Sequence, residues 1–304
     1  MYKILYGILL NSIDVTSICY TQLNVGGIII IPSCDPARAS IFGDPIFGTV
    51  KTIFIQNVCG QTSEYSSTVQ ISIDTNTGII TCVDVFAVHA RLNALHSEMK
   101  MNHGVLTDEY PEQLMVARFL TGNEKVLEIG ANVGRNSLCI AKILGDNDRN
   151  LVCLESDQHT AFLLMDNRDI NNMHFQIEGS ALSERRLLQN GWSTIASNEP
   201  VDGWTQVNTI SLNELRQKYQ INFDTLVLDC EGAFYYILTD MPSILDNITL
   251  IIMENDYFEN PQWKMEVDAK LLANNFYAIY VESGGPHGPL YNGFYEVWRK
   301  RGPI

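Results

Sequence analysis

Val126-Leu127-Glu128-Ile129-Gly130-Ala131-Asn132-Val133-Gly134-Arg135-Asn136 is the stretch on which the fold turns. An apolar strand runs into a Gly-containing turn that opens a helix, which is how a sheet presents its C-terminal edge to a nucleotide. A dinucleotide fingerprint needs G-x-G-x-x-G; counted from Gly130, its later glycines fall on Asn132 and Arg135. The pyrophosphate of NAD therefore has no cradle. The E-x-G-x-x-x-G spacing suits a phosphate-free cofactor carrying positive charge. Gly130 and Gly134 admit the backbone and Glu128 faces the cation, an expectation that points to S-adenosylmethionine.

Outward from this stretch the pattern stays α/β. The amphipathic segment Pro111 to Leu120 leads in, and a helix over Asn136 to Leu144 leads out. Strands are expected at Leu151 to Leu154, near Gln176, at Asp224 to Leu228 and at Leu250 to Met253, with helices between them. Such alternation gives a parallel, doubly wound sheet. Phe276 to Val281 and Gly293 to Trp298 read as two further strands closing it antiparallel.

Candidate site residues collect at the strand ends. Glu155 follows the second strand, where a carboxylate can accept from both hydroxyls of a ribose. Ser180 and Ala181, in Glu178-Gly179-Ser180-Ala181, leave room for an adenine. Asp229 and Glu231 end a buried strand at i and i+2, and acidic groups there are costly unless paired or used. Either could take a proton from an acceptor hydroxyl, with His287 in the Gly284 to Pro289 loop as second choice. A divalent ion such as magnesium, held by Asp229 with Glu254 or Asp256, is the other way to acidify a hydroxyl. Phe234, Tyr235, Tyr257 and Trp263 stand near the same strand ends and are expected to stack on a sugar ring or to be core.

Taken in order, VLEIGANVGRNS, LVCLESD with Asn167 downstream, GSALSE, VNTISLNEL, FDTLVLDCEGAFYYIL and LIIMEN resemble the FkbM-type methyltransferase family, over about Val126 to Glu254. The resemblance implies a Rossmann-like class I fold and O-methylation of sugars or other small molecules from S-adenosylmethionine. It implies that Glu128, Gly130, Asn132 and Gly134, with Ala131 and Asn136, frame the methionine part. Glu155 with Ser156 would hold the ribose, Ser180 and Ala181 the adenine, and Asp229 would sit beside the methyl group. Two positions depart from the family: Val227 stands where it usually has Lys, and Arg135 where it often has an aromatic.

The first 95 residues lie outside that resemblance. They hold four basic and six acidic side chains, against sixteen and twenty-nine in residues 96–304, so the acidity of the chain belongs to its second part. Short β-branched runs alternate with turn clusters, and Thr68 to Ile73, Asp74 to Gly78 and Ile79 to Val83 read as a hairpin. A small, mostly antiparallel β-domain is expected over residues 1–95. Tyr6 to Thr16 and Phe42 to Ile55 faintly resemble a β-module of proteins of large DNA viruses and of DnaJ-type co-chaperones. Nothing in it is catalytic by residue type, which leaves packing, target binding or homo-oligomerisation as its role.

A net charge of -15 repels nucleic-acid phosphates and anionic membranes. The seven Cys include no CxxC pair, and most sit in apolar runs as reduced core residues. Ile4 to Leu10 is short and followed by Asp14, so it reads as a strand and not a signal peptide, and the expected location is cytoplasmic. Two rival classes remain: a scaffold protein with a silent methyltransferase-like domain, and an oxidoreductase, which the missing glycines disfavour.

Overall fold

A computed structural model gives the architecture and describes residues 2–25, 27–257, 260–282, 284 and 293–300. Two compact units emerge, Met1–Ala90 with Tyr277–Ile279, and Arg91–Phe276 with Tyr280–Ile304.

The first unit is built from period-two strands: β1 (Lys3–Ile8), β2 (Asn11–Asp14), β3 (Asn24–Val25), β4 (Ile28–Ile31), β5 (Thr52–Gln56), β6 (Thr62–Tyr65), β7 (Val69–Asp74) and β8 (Ile80–Asp84). They form two antiparallel sheets, ordered β2-β1-β5-β6 and β3-β4-β7-β8. Ile4 and Tyr6, Ile29 and Ile31, Ile53 and Ile55, and Ile71 and Ile73 alternate inward and join one apolar cluster fed by both sheets. The expected hairpin is β7–β8, with Ile73 opposite Ile80. The β-domain also carries α1 (Thr16–Gln22) and α2 (Asp35–Phe42), which the strand pattern did not announce. In α2 the guanidinium of Arg38 is fully buried and donates to the carbonyls of Pro32, Ser66 and Val69. Cys34, Cys59 and Cys82 are exposed rather than core, because they fall on turns and on the outer face of β8.

The chain passes between units within α3 (Val85–Ser97) and continues through α4 (Tyr110–Phe119). Then come β9 (Val126–Ile129), α5 (Arg135–Leu144), β10 (Leu151–Leu154), α6 (Gln158–Ile170) and β11 (Gln176–Glu178). An inserted β region follows: β12 (Ala181–Leu182), β13 (Leu187–Asn190), β14 (Ser193–Ala196), β15 (Thr205–Gln206) and β16 (Thr209–Ile210). After α7 (Leu212–Tyr219) come β17 (Thr225–Leu228), α8 (Phe234–Asp240), β18 (Leu250–Glu254), α9 (Pro261–Ala273), β19 (Phe276–Glu282) and β20 (Tyr295–Lys300).

The main sheet is ordered β11-β10-β9-β17-β18-β20-β19. Its first five strands are parallel, and β20 runs antiparallel beside β18. This is a Rossmann-like sheet with the antiparallel closure expected of the tail. Every residue of β9, β10 and β17 is buried, as strands covered on both faces must be. Strand order reverses between β9 and β17, so the helices that follow them leave to opposite faces and a crevice opens between the strand ends.

Candidate active site at the strand switch point

Gly130 ends β9 at that crevice. Its φ is +89°, and a Cβ there would lie 1.6 Å from the carbonyl oxygen of Asp229, so only glycine lets the two strand ends meet so closely. Gly134 has φ +94°, and a Cβ would fall 2.2 Å from Leu164, which fixes α5 against α6. Between them the loop is held from two sides. Glu155 Oε2 accepts the Asn132 N–H at 2.9 Å while its Oε1 accepts that of Asp157 at 2.8 Å. Asn167, fully buried, donates to the carbonyls of Val133 and His103.

An open cleft of about 890 Å³ lies over these strand ends. Of the expected cofactor residues it is lined by Gly130, Asn132, Glu155, Ser156, Ser180, Ala181 and Asp229, and Glu231 and Glu254 also face it. Its described lining holds seven carboxylates, Glu109, Glu112 and Asp157 completing the set, and no Lys, Arg or His. Glu231 reaches the cleft through a left-handed turn (φ +51°) beyond the end of β17, not by strand alternation. Ser180 donates its hydroxyl to Glu178 at 2.9 Å, which leaves its oxygen only as an acceptor for any ligand.

Four expected residues are placed elsewhere. Glu128, 2% exposed, lies one residue inside the strand end, and its side chain stands on the face covered by α5. It accepts a 2.5 Å hydrogen bond from Ser137 and does not reach the cleft. Burial raises its pKa to about 7, and hydrogen bonds from Cys153 and Ser137 hold it from going higher. Ala131 gives its N–H to Leu154, Gly134 packs on Leu164, and Asn136 is buried in the first turn of α5. None of these three lines the cleft. The aromatic platform also differs: Phe234 and Tyr257 are core, and Tyr235 stacks on Trp263 at 4.8 Å outside the cleft. His287 lies outside the described residues.

Other cleft residues were not singled out from sequence. Trp192, 68% exposed, lines it from the β13–β14 turn, beside Gln189, Asn190 and Thr194. Glu109 and Glu112 come from the start of α4. Arg135 binds Glu109 at 2.7 Å and the Val105 carbonyl at 3.2 Å, so the departure from the family pattern ties the segment before α4 to α5.

The electrostatics follow from crowding. Asp229 is pushed well above the ordinary carboxylate range by burial, and the charges of Glu109, Glu112, Asp256 and Glu231 push it further. Burial raises Glu254 too, with a hydrogen bond to Glu112 and the charge of Asp229 adding to it. Asp256 is raised to about 7 by burial and by Glu231 and Glu112. Carboxylates this close cannot all ionise unless a positive charge joins them.

No protein-family model matches the chain, and no curated protein does. Solved structures do match it. An O-methyltransferase from Bacillus cereus in complex with SAH shares 18% identity over 71% of this chain and 90% of that one, with a TM-score of 0.42. Fibrillarin from Aeropyrum pernix, with natively bound S-adenosyl-L-methionine, shares 10% over 76% and 93%, with a TM-score of 0.39. A protein in the NADB-Rossmann superfamily from Streptococcus agalactiae shares 12% over 64% and 69%, again at 0.39. What those proteins bind or methylate is a property of theirs. Among the described residues no helix is long and apolar enough to cross a membrane.

Proposed function

We propose that the chain is an S-adenosylmethionine-dependent methyltransferase acting on a hydroxyl oxygen of a small molecule or glycan. One observation carries this reading: a cleft at the strand switch point lined by seven carboxylates and no basic side chain. Phosphate-bearing cofactors are repelled there, whereas a sulfonium and an α-ammonium group are attracted. The residues present fit such a group. Gly130 leaves the backbone bare where a Cβ would block the strand ends. Each Glu155 oxygen has spent one lone pair on a backbone N–H and keeps another for a ribose hydroxyl.

Bound there, S-adenosylmethionine supplies a methyl group on positively charged sulfur. The protein's own part is alignment and proton removal. Aligning the acceptor can supply roughly 7–11 kcal/mol of the barrier. Two carboxylates are placed to take the hydroxyl proton: Asp229, deep beside Gly130, and Glu231, exposed on the cleft wall. Trp192 offers an aromatic face, and the neutral amides and hydroxyls around it match a polyhydroxyl acceptor.

The test supplies methyl-labelled S-adenosylmethionine with free sugars, glycans, small phenols, RNA and protein. Label is expected in a hydroxylated small molecule or glycan, with turnover in Asp229→Asn lower by roughly a hundredfold. Label confined to RNA or protein contradicts the acceptor class, and full turnover in Asp229→Asn removes that residue from the chemistry.

A further inference from the structure

We propose that Glu109, set in place by Arg135, takes the α-ammonium group of the cofactor, and that Arg135 is a positioning residue acting on the cleft from outside it. Glu109 lines the cleft and Arg135 does not. The two meet through the guanidinium, whose Nη1 donates to Glu109 Oε1 at 2.7 Å. Arg135 also donates to the Val105 carbonyl and lies 3.6 Å from Asp108, so it grips the chain on the N-terminal side of Glu109. Glu109 itself has φ +59°, a left-handed backbone that a glutamate adopts only where its surroundings impose it.

Hydrogen bonds aim the carboxylate. Asn132 Oδ1 accepts the Val133 N–H at 2.8 Å, which turns Nδ2 towards Glu109, and that amide donates to Oε1 at 3.2 Å. Oε1 is thereby spent, while Oε2 takes no hydrogen bond from the described residues. Glu109 is also the first of the neighbouring charges that push Asp229 up, which places it near the meeting of β9 and β17. Glu155 stands instead at the end of β10. A cofactor with its ribose on Glu155 therefore brings its amino-acid end to Glu109. Among the described ion pairs Glu109 is the one cleft carboxylate with a basic partner. Burial raises its pKa and Arg135 works against that rise, so it is held less far from the ordinary range than Asp229 or Glu254. An ionised carboxylate with one oxygen to spare is what a charge-assisted bond to an ammonium group requires.

This role for Glu109 rests on the proposed cofactor reading, and the experiment separates the two. Calorimetry on the full chain compares S-adenosylhomocysteine with methylthioadenosine, which keeps the adenosine and thioether but lacks the amino acid. Glu109→Gln is expected to weaken S-adenosylhomocysteine roughly tenfold or more, the range of a lost charge-assisted bond, and to leave methylthioadenosine within about twofold. Arg135→Met should reproduce that split, and Arg135→Lys, which keeps a positive charge beside Glu109, should recover most of the loss. Retained methylthioadenosine binding shows that each variant still forms the cleft. Equal weakening of both ligands in Glu109→Gln, or unchanged affinity for S-adenosylhomocysteine, overturns the role of Glu109 and leaves the cofactor reading standing. A split in Glu109→Gln that Arg135→Met lacks overturns the positioning role of Arg135. A parent chain that binds methylthioadenosine but not S-adenosylhomocysteine also overturns the role of Glu109, and one that binds neither overturns the cofactor reading with it.

Discussion

Glu128 shows most sharply how a single carboxylate can be read correctly by type and wrongly by position. In sequence it is the acidic residue of a Gly-rich loop motif; in space it is under α5, bonded to Ser137. Burial raises its pKa from the ordinary 4.5 to about 7. The folded chain therefore holds a proton there that the unfolded chain gives up at lower pH. That contribution to stability is complete below about pH 4.5 and is lost as pH rises to about 7. Glutamine keeps an acceptor for Ser137 and cannot ionise. The advantage of Glu128→Gln over the parent should grow from pH 4.5 to 7 and then level off, at a size on the order of 3 kcal/mol. Denaturant unfolding across that range checks it, and a constant difference would place Glu128 in solvent. Glu155 and Asp229 were legible because they follow the last residue of a strand, where the chain has to face the crevice. Glu112 was not, because its role depends on which side of α4 meets the sheet, and a ten-residue helix with acidic groups at its start reads as an ordinary N-terminus.

Among the elements, the parallel strands were readable from four-residue apolar runs, while the insertion between β11 and α7 was not resolved into strands. Its residues alternate weakly and are mostly polar. Yet it carried a signal: Gly191-Trp192 between Leu187–Asn190 and Ser193–Ala196 puts a glycine, at φ +58°, first in a two-residue hairpin loop, where such turns favour it. That turn puts Trp192 on the cleft, replacing the aromatic platform expected near α8 and α9, where Tyr235 and Trp263 satisfy one another. Truncating Trp192 to Ala should raise KM for the acceptor several-fold, up to about tenfold, the range of an aromatic contact. Cofactor affinity should be unchanged. An equal loss of kcat with KM unmoved would assign the hairpin to the reacting centre instead.

At the level of the whole molecule, the chain joins a nearly neutral β unit to an acidic α/β unit, and the charge break near residue 95 falls close to the division of contacts at Ala90 and Arg91. The boundary was blurred in sequence because α3 (Val85–Ser97) is only weakly amphipathic and crosses it. A fragment of residues 85–304 keeps that helix whole and contains every residue that lines the cleft. It should fold and bind S-adenosylmethionine within a few-fold of the full chain. A folded fragment that does not bind would show that the first unit completes the site. In the proposed reading the cleft holds a cationic cofactor without phosphate. Calorimetric titration of the full chain with S-adenosylmethionine and with NAD, at low and high salt, tests it most directly. The expected result is one S-adenosylmethionine bound per chain, more weakly as salt screens the carboxylates, and no NAD. Binding of NAD without S-adenosylmethionine would contradict it.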